Sequence, residues 1–174
     1  MVNYYDEIAT GYEELHKEEQ LKKIAVIKKY LRVHKTDKLL DVGCGTGLTT
    51  EPWNCLRYGI DPSKKLLERA RNAENQRFSE TSREVKDKIE YKLAPAEIIP
   101  YKDHFFDIVI SITAIQNFNN IEKGLKEIKR VGKDKFILSF LKKSSKNEII
   151  KDLIEKIFDA KEFIEEEKDI IFLV

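Results

Sequence analysis

At 174 residues and a formal net charge of +1, the chain suits one domain with a core on both faces of a sheet, and carries no bulk attraction to nucleic acid or membrane. Hydrophobic residues make up 41% and charged residues 36%, the balance of a soluble globular protein with a densely charged surface. Two cysteines, Cys44 and Cys55, supply neither a disulfide framework nor metal-ligand spacing, so no metal is expected and a reducing, cytoplasmic setting is.

The amino-terminal "MVNYYDEIATGY" lacks the basic and apolar regions of a signal peptide. Over residues 17–33, Leu21, Ile24, Ile27 and Leu31 recur at three- and four-residue steps and predict an amphipathic helix. The strand "KLLDV" follows and runs into "GCGTG", where Gly43, Gly45 and Gly47 predict a strand turning sharply into a helix whose first amides favour an anionic group. Pro52 should end that helix early. Further strands are predicted at 56–61, 89–94, 106–112 and 135–141, and helices at 63–74, 120–131 and 145–158. Residues 72–88 read equally as loop or extended helix. The longest apolar stretch, "FFDIVISITAI", holds Asp107 and is too short to span a bilayer, so no membrane segment is expected. The Lys-rich stretch from Lys123 to Lys146 reads as solvated surface. At the carboxyl end, "AKEFIEEE" and "DIIFLV" are joined too closely for a parallel crossover and predict an antiparallel hairpin. The alternation of strands and helices gives an α/β fold with a doubly wound, mostly parallel sheet closed by that hairpin.

The glycine spacing is G-x-G-x-G. A dinucleotide fingerprint needs a third glycine where Leu48 stands, and no Gly-Lys-Ser or Gly-Lys-Thr closes the loop as a Walker motif would. Asp41 precedes the loop within its strand, and Asp61 closes the next strand in "YGIDPS", where a carboxylate can accept from both hydroxyls of a ribose. Two acids thus flank one nucleoside-sized cleft, suited to a ligand with one small anion and one positive centre.

These residues resemble the class I methyltransferases that use S-adenosylmethionine, whose first motif reads like "LLDVGCGTG". The likeness extends over nearly the whole chain, through "GIDPS", "APAEIIPYKDHFFDIVISITAIQNF" and "LKEIKRVGKDKFILS". It implies a single domain over 1–174, with 1–34 as an amino-terminal cap segment and helix, and a seven-stranded sheet whose last strand is inserted antiparallel. It further implies S-adenosylmethionine as cofactor, with Asp41, Gly43, Cys44, Gly45 and Gly47 at its methionine side and Asp61 on its ribose. Pro62, Ser63, Ala96 and Glu97 would lie near the adenine, Thr113 and Ala114 beneath the sulfonium, and Tyr12 over the cofactor. Tyr5, Gln116 and Asn117 are the substrate-side candidates. The sequence departs from the family at Pro95, where relatives often carry an Asp for the adenine amino group, and at Gln116 and Asn117, where relatives often carry histidines.

Methyl transfer from a sulfonium is an in-line displacement with an excellent leaving group, so no strong general base is demanded. None of His16, His34 and His104 is assigned that role, Asp107 reads as structural, and Trp53 reads as a packing residue. The fourth strand ends in "SITA", without the Asn/Asp-Pro-Pro-aromatic motif by which the family holds planar amino groups. The expected acceptor is a small molecule, with no membrane partner. A protein or RNA acceptor and a non-catalytic S-adenosylmethionine-binding protein remain as alternatives.

Overall fold

The computed structural model describes residues 4–80 and 88–174, with side chains described for 17–79 and 88–174. Helix α1 (Tyr4–Tyr30) leads into β1 (Lys38–Val42) and β2 (Leu56–Asp61), then α2 (Lys64–Glu80) and β3 (Glu90–Leu93). Strand β4 (Phe106–Ser111) is followed by a 3-10 turn (Ile115–Asn117), α3 (Ile121–Val131), β5 (Gly132–Leu141) and α4 (Asn147–Phe158). Strands β6 (Phe163–Glu165) and β7 (Asp169–Leu173) complete the chain. Seven strands form one sheet in the order β3-β2-β1-β4-β5-β7-β6. Strands β1 to β5 pair in parallel, whereas β7 enters antiparallel between β5 and β6. The strand order reverses direction between β1 and β4, which opens a crevice at the carboxyl ends of the strands.

Period-two alternation sorts the sheet's side chains into two layers. Leu40, Val109, Leu138 and Phe172 join the core built with α3 and α4. Their neighbours Leu39, Ile108, Ile110, Ile137 and Ile171 face the other way, against Ile24 and Ile27 of α1. Among the described residues no helix is long and apolar enough to cross a membrane.

The structure corrects several sequence expectations. Between β1 and β2 no helix forms; residues 46–52 make turns, with the Glu51 amide donating to Gly47 O at 3.0 Å as a single helical turn. Eight residues from Leu48 to Cys55 leave little room, Pro52 disfavours a helix, and the Thr49 and Thr50 hydroxyls are drawn to Asp41. The anion-binding helix start expected there is therefore absent. Helix α1 begins well before residue 17, and its buried face is Gln20, Lys23, Ile24 and Ile27; Leu21 is 43% exposed. In α4 the buried positions are Ile150, Ile154 and Phe158, with Ile149 exposed. Residues 72–80 continue α2 as helix, while 81–87 lie outside the described residues.

The lysine-rich stretch is surface. Lys126 pairs with Glu122, Lys133 with Asp107 and Lys142 with Glu165, while Arg130 binds Glu127 and Asp103.

Candidate functional site

A cavity of 280 Å³ sits at the switch point, between the loops that leave β1, β2, β3 and β4. Its floor is the loop after β1. Gly43 and Gly45 adopt φ of 78° and 54°, a left-handed backbone that glycine enters without the penalty a Cβ would bring. A Cβ on Gly43 would lie 2.6 Å from that of Ala114, so the loops after β1 and β4 touch backbone to side chain. The Gly43 and Cys44 amides both donate to Ile60 O, which ties the loop to the end of β2.

Asp61 ends β2 at the cavity wall. Its Oδ2 accepts from the Gly45 amide at 2.9 Å and its Oδ1 from the Ser63 amide at 2.8 Å. Burial pushes its pKa above the usual carboxylate range, and these two amides oppose the shift. Pro62, Ser63, Ala96, Glu97, Thr113, Ala114 and Asn117 also line the cavity. Glu97 also braces the next helix, since its Oε1 accepts from the Asn120 amide at the start of α3.

Four sequence candidates lie behind the lining and not in it. Asp41 is fully buried, its Oδ2 accepting from Thr49 Oγ1 at 2.6 Å and Thr50 Oγ1 at 2.7 Å. Its carboxylate is thus engaged in shaping the loop from beneath; Oδ1 has no hydrogen-bond partner among the described residues. Burial raises its pKa to about 6, against the two hydroxyls and with a further push from Asp61. Cys44 packs with Leu67, Ala70, Ile89 and Tyr91, and burial drives its thiol well above the usual range, which keeps it protonated. Gly47 faces Tyr91, whose hydroxyl an added Cβ would overlap. Gln116 turns back on the main chain, donating from Nε2 to Thr113 O at 2.8 Å, while Lys146 Nζ donates to Gln116 O at 3.0 Å. The side chains of Tyr5, Tyr12 and His16 lie outside the described residues.

Leu66, Ile112, Phe118 and Asn119 line the cavity and were not named from the sequence. Leu66 stands three residues beyond Ser63 on α2, and Phe118 and Asn119 sit in the loop after the 3-10 turn, so proximity along the chain was their only signal. His104 Nδ1 lies 3.0 Å from Gly132 O, and neither it nor His34 reaches the cavity. Asp107 accepts from the Lys38 amide and pairs with Lys133, and Trp53 is buried with its Nε1 donating to Thr49 O, both as structural residues.

Among the described residues the lining holds two carboxylates, Asp61 and Glu97, and no lysine or arginine. Two carboxylates on the wall suit a ligand that brings its own positive charge.

Residues 40–140 match the family described as a methyltransferase domain. An uncharacterized protein of Methanocaldococcus jannaschii is 30% identical over 98% of this chain and 82% of its own length. A ubiquinone biosynthesis O-methyltransferase of Pelagibacter ubique is 36% identical over 60% of this chain and 41% of that protein. The chain spans about half or less of the first curated relatives it matches. A crystal structure of an S-adenosylmethionine-dependent methyltransferase described as putative, from Methanococcus maripaludis, superposes with a TM-score of 0.73 at 15% identity, over 95% of this chain and 90% of that one.

Proposed function

The chain belongs to the methyltransferase-domain family, and from that premise we propose that it is an S-adenosylmethionine-dependent methyltransferase acting on a small-molecule acceptor. The observation that carries this reading is the character of the cavity: a floor of bare glycine backbone and walls that carry the carboxylates of Asp61 and Glu97. S-adenosylmethionine supplies a methyl group made electrophilic by a sulfonium.

The protein's own contribution is placement. Asp61 would take the ribose hydroxyls, since each of its oxygens accepts one amide and keeps capacity for a second donor. Gly43 and Gly45 let the ligand approach the main chain. Pro62, Ser63, Ala96 and Glu97 would border the adenine, with Thr113 and Ala114 on the sulfonium side. Asp41, held under the loop, adds negative charge behind that floor when ionised. Asn117, on the cavity wall, and Gln116 beside it are the substrate-side candidates, together with Tyr5; Tyr12 would cover the cofactor. In-line transfer then needs an acceptor held near the methyl carbon with water excluded, and no base of unusual strength.

The small-molecule acceptor is supported by the Pelagibacter ubique relative, whose name places it in ubiquinone biosynthesis. The proposed unit is one domain over 1–174 with 1–34 as its cap. Two free cysteines, Cys44 and Cys55, accord with a reducing cytoplasm as its setting.

Isothermal titration with S-adenosylmethionine, S-adenosylhomocysteine and NAD tests the cofactor. Binding of both sulfur ligands is expected, and binding of NAD alone would overturn the assignment. Incubation of methyl-labelled cofactor with cell extract tests the reaction. Label is expected in small metabolites; label in protein or RNA would move the acceptor class, and bound cofactor with no labelled product would make the protein a non-catalytic binder.

A further inference from the structure

Thr113 lines the cavity with φ of 56°, a left-handed conformation that is a genuine outlier for a β-branched residue. Such strain persists only where surrounding contacts over-determine it. Here the contacts can be named. The Thr113 amide donates to Ser139 Oγ at 2.8 Å and to Ser139 O at 3.1 Å, both on β5. The Thr113 hydroxyl donates to Asp169 Oδ1 at 3.0 Å and accepts from Lys23 Nζ at 2.7 Å.

Lys23 and Asp169 also face one another directly, with Nζ 2.5 Å from Oδ2 and side chains 8% and 0% exposed. Burying an ion pair this deeply is a poor way to gain stability, because desolvation of the two charges offsets most of their attraction; apolar residues of similar size often do as well or better. The pair sits where three parts of the chain meet: Lys23 on α1, Asp169 opening β7, and Thr113 just beyond β4. A second contact, between Lys168 and Glu19, joins α1 to the same hairpin one step outward.

We propose that the buried pair Lys23–Asp169 is a positioning unit: through the Thr113 hydroxyl it holds the left-handed bend after β4 in the shape that seats the cofactor, and so makes α1 and the terminal hairpin part of the binding site. The proposal rests on the cavity being the cofactor seat, as argued above. Neither residue touches the cavity, and both act through Thr113.

The test separates positioning from plain stability. In Lys23→Met/Asp169→Leu the charges are replaced by apolar groups of similar reach, so the unfolding midpoint should hold or rise. Affinity for S-adenosylhomocysteine should nevertheless fall, by roughly three- to tenfold. In a Thr113→Gly background, where glycine adopts the bend unaided and the hydroxyl is gone, the same double substitution should change affinity no further. A readout without ligand is hydrogen exchange: the Thr113 amide should exchange faster in the double variant, measured against Leu138 in the adjoining strand. Asp169→Asn, nearly isosteric, is the second variant should the apolar pair fail to fold, and a smaller acceleration at Thr113 is expected. Unchanged affinity and unchanged Thr113 exchange in a folded variant would overturn the proposal, as would equal losses with and without the Thr113 hydroxyl. If the unaltered protein binds neither sulfur ligand, the functional reading falls instead, and exchange at Thr113 still decides whether the pair holds the bend.

Discussion

The Gly45 amide points at Asp61 Oδ2 from 2.9 Å, so the bend after β1 and the acid at the end of β2 form one hydrogen-bonded unit. Asp61 receives the Ser63 amide as well, which fixes the start of α2 to the same carboxylate. Replacing Asp61 by Ala takes away the proposed ribose acceptor and leaves both amides without their acceptor. Cofactor affinity should drop by roughly 1–3 kcal/mol, the range for loss of a charge-assisted hydrogen bond. Calorimetric titration of Asp61→Ala checks this, and an affinity equal to that of the unaltered protein would remove Asp61 from the site.

Asp41 yields a prediction about pH. Its pKa rises from 3.8 to about 6 on folding, with burial as the chief cause. A raised pKa means that the folded state binds the proton more tightly than the unfolded chain does. The stabilisation from protonated Asp41 is therefore complete below pH 3.8 and is lost as pH climbs through about 6. Asp41→Asn keeps an acceptor for the Thr49 and Thr50 hydroxyls and cannot ionise. The variant should gain stability relative to the unaltered protein between those two values, reaching a difference of up to about 3 kcal/mol near neutrality. Denaturant titrations at several pH values measure the difference curve, and a flat curve would show that the carboxylate is relaxed in the folded state.

Elements whose burial follows a regular period were legible in the sequence. The alternation in "FDIVIS" and "KFILSF" sends successive residues to opposite faces, and the short link before Asp169 forces the terminal hairpin. Gly43, Gly45 and Asp61 were legible because a bare bend followed by an acid at the next strand end has few other uses. What was hidden depends on contacts between distant segments. Nothing in the sequence sets Lys23 apart from the other lysines of α1, and only its approach to Asp169, far along the chain, explains its burial. The missing helix after the loop was hidden for a related reason: Thr49 and Thr50 have their hydroxyls taken by Asp41, a capture that propensity alone does not register.

Gly43 and Gly45 should respond differently to the same substitution. Both have positive φ, so alanine strains either position, at a cost of about 1 kcal/mol or more. At Gly43 the new methyl would also press on Ala114 at 2.6 Å, and the loops after β1 and β4 would have to part. At Gly45 the nearest atom is Leu66 Cδ1, 4.0 Å away on the cavity wall, so the methyl would meet only an ordinary van der Waals contact. Both variants should therefore lower the unfolding midpoint and cofactor affinity, with the larger loss of stability in Gly43→Ala. Thermal unfolding and titration of the two variants together give the comparison. A Gly45→Ala protein that binds as well as the unaltered one would place the ligand away from the bend.

Arg130 governs the far wall of the cavity without lining it. Its guanidinium donates to Ile99 O and Tyr101 O, and to the carboxylates of Glu127 and Asp103, while Glu127 Oε2 accepts from the Ile99 amide. The segment that follows β3, which carries Ala96 and Glu97 to the cavity, is thereby stapled to α3. Lysine cannot reproduce this fork, since a single ammonium group cannot reach two carbonyls and two carboxylates in one plane. Arg130→Lys should destabilise the fold by about 1–3 kcal/mol. It should also weaken cofactor binding, because the wall that carries Ala96 and Glu97 is left less constrained. Glu127→Gln removes the paired charge but can still accept the Ile99 amide, so it should have the smaller effect of the two on affinity. Denaturant unfolding and cofactor titration of both variants test the order, and equal affinities across all three proteins would show that the segment after β3 holds its shape without the arginine.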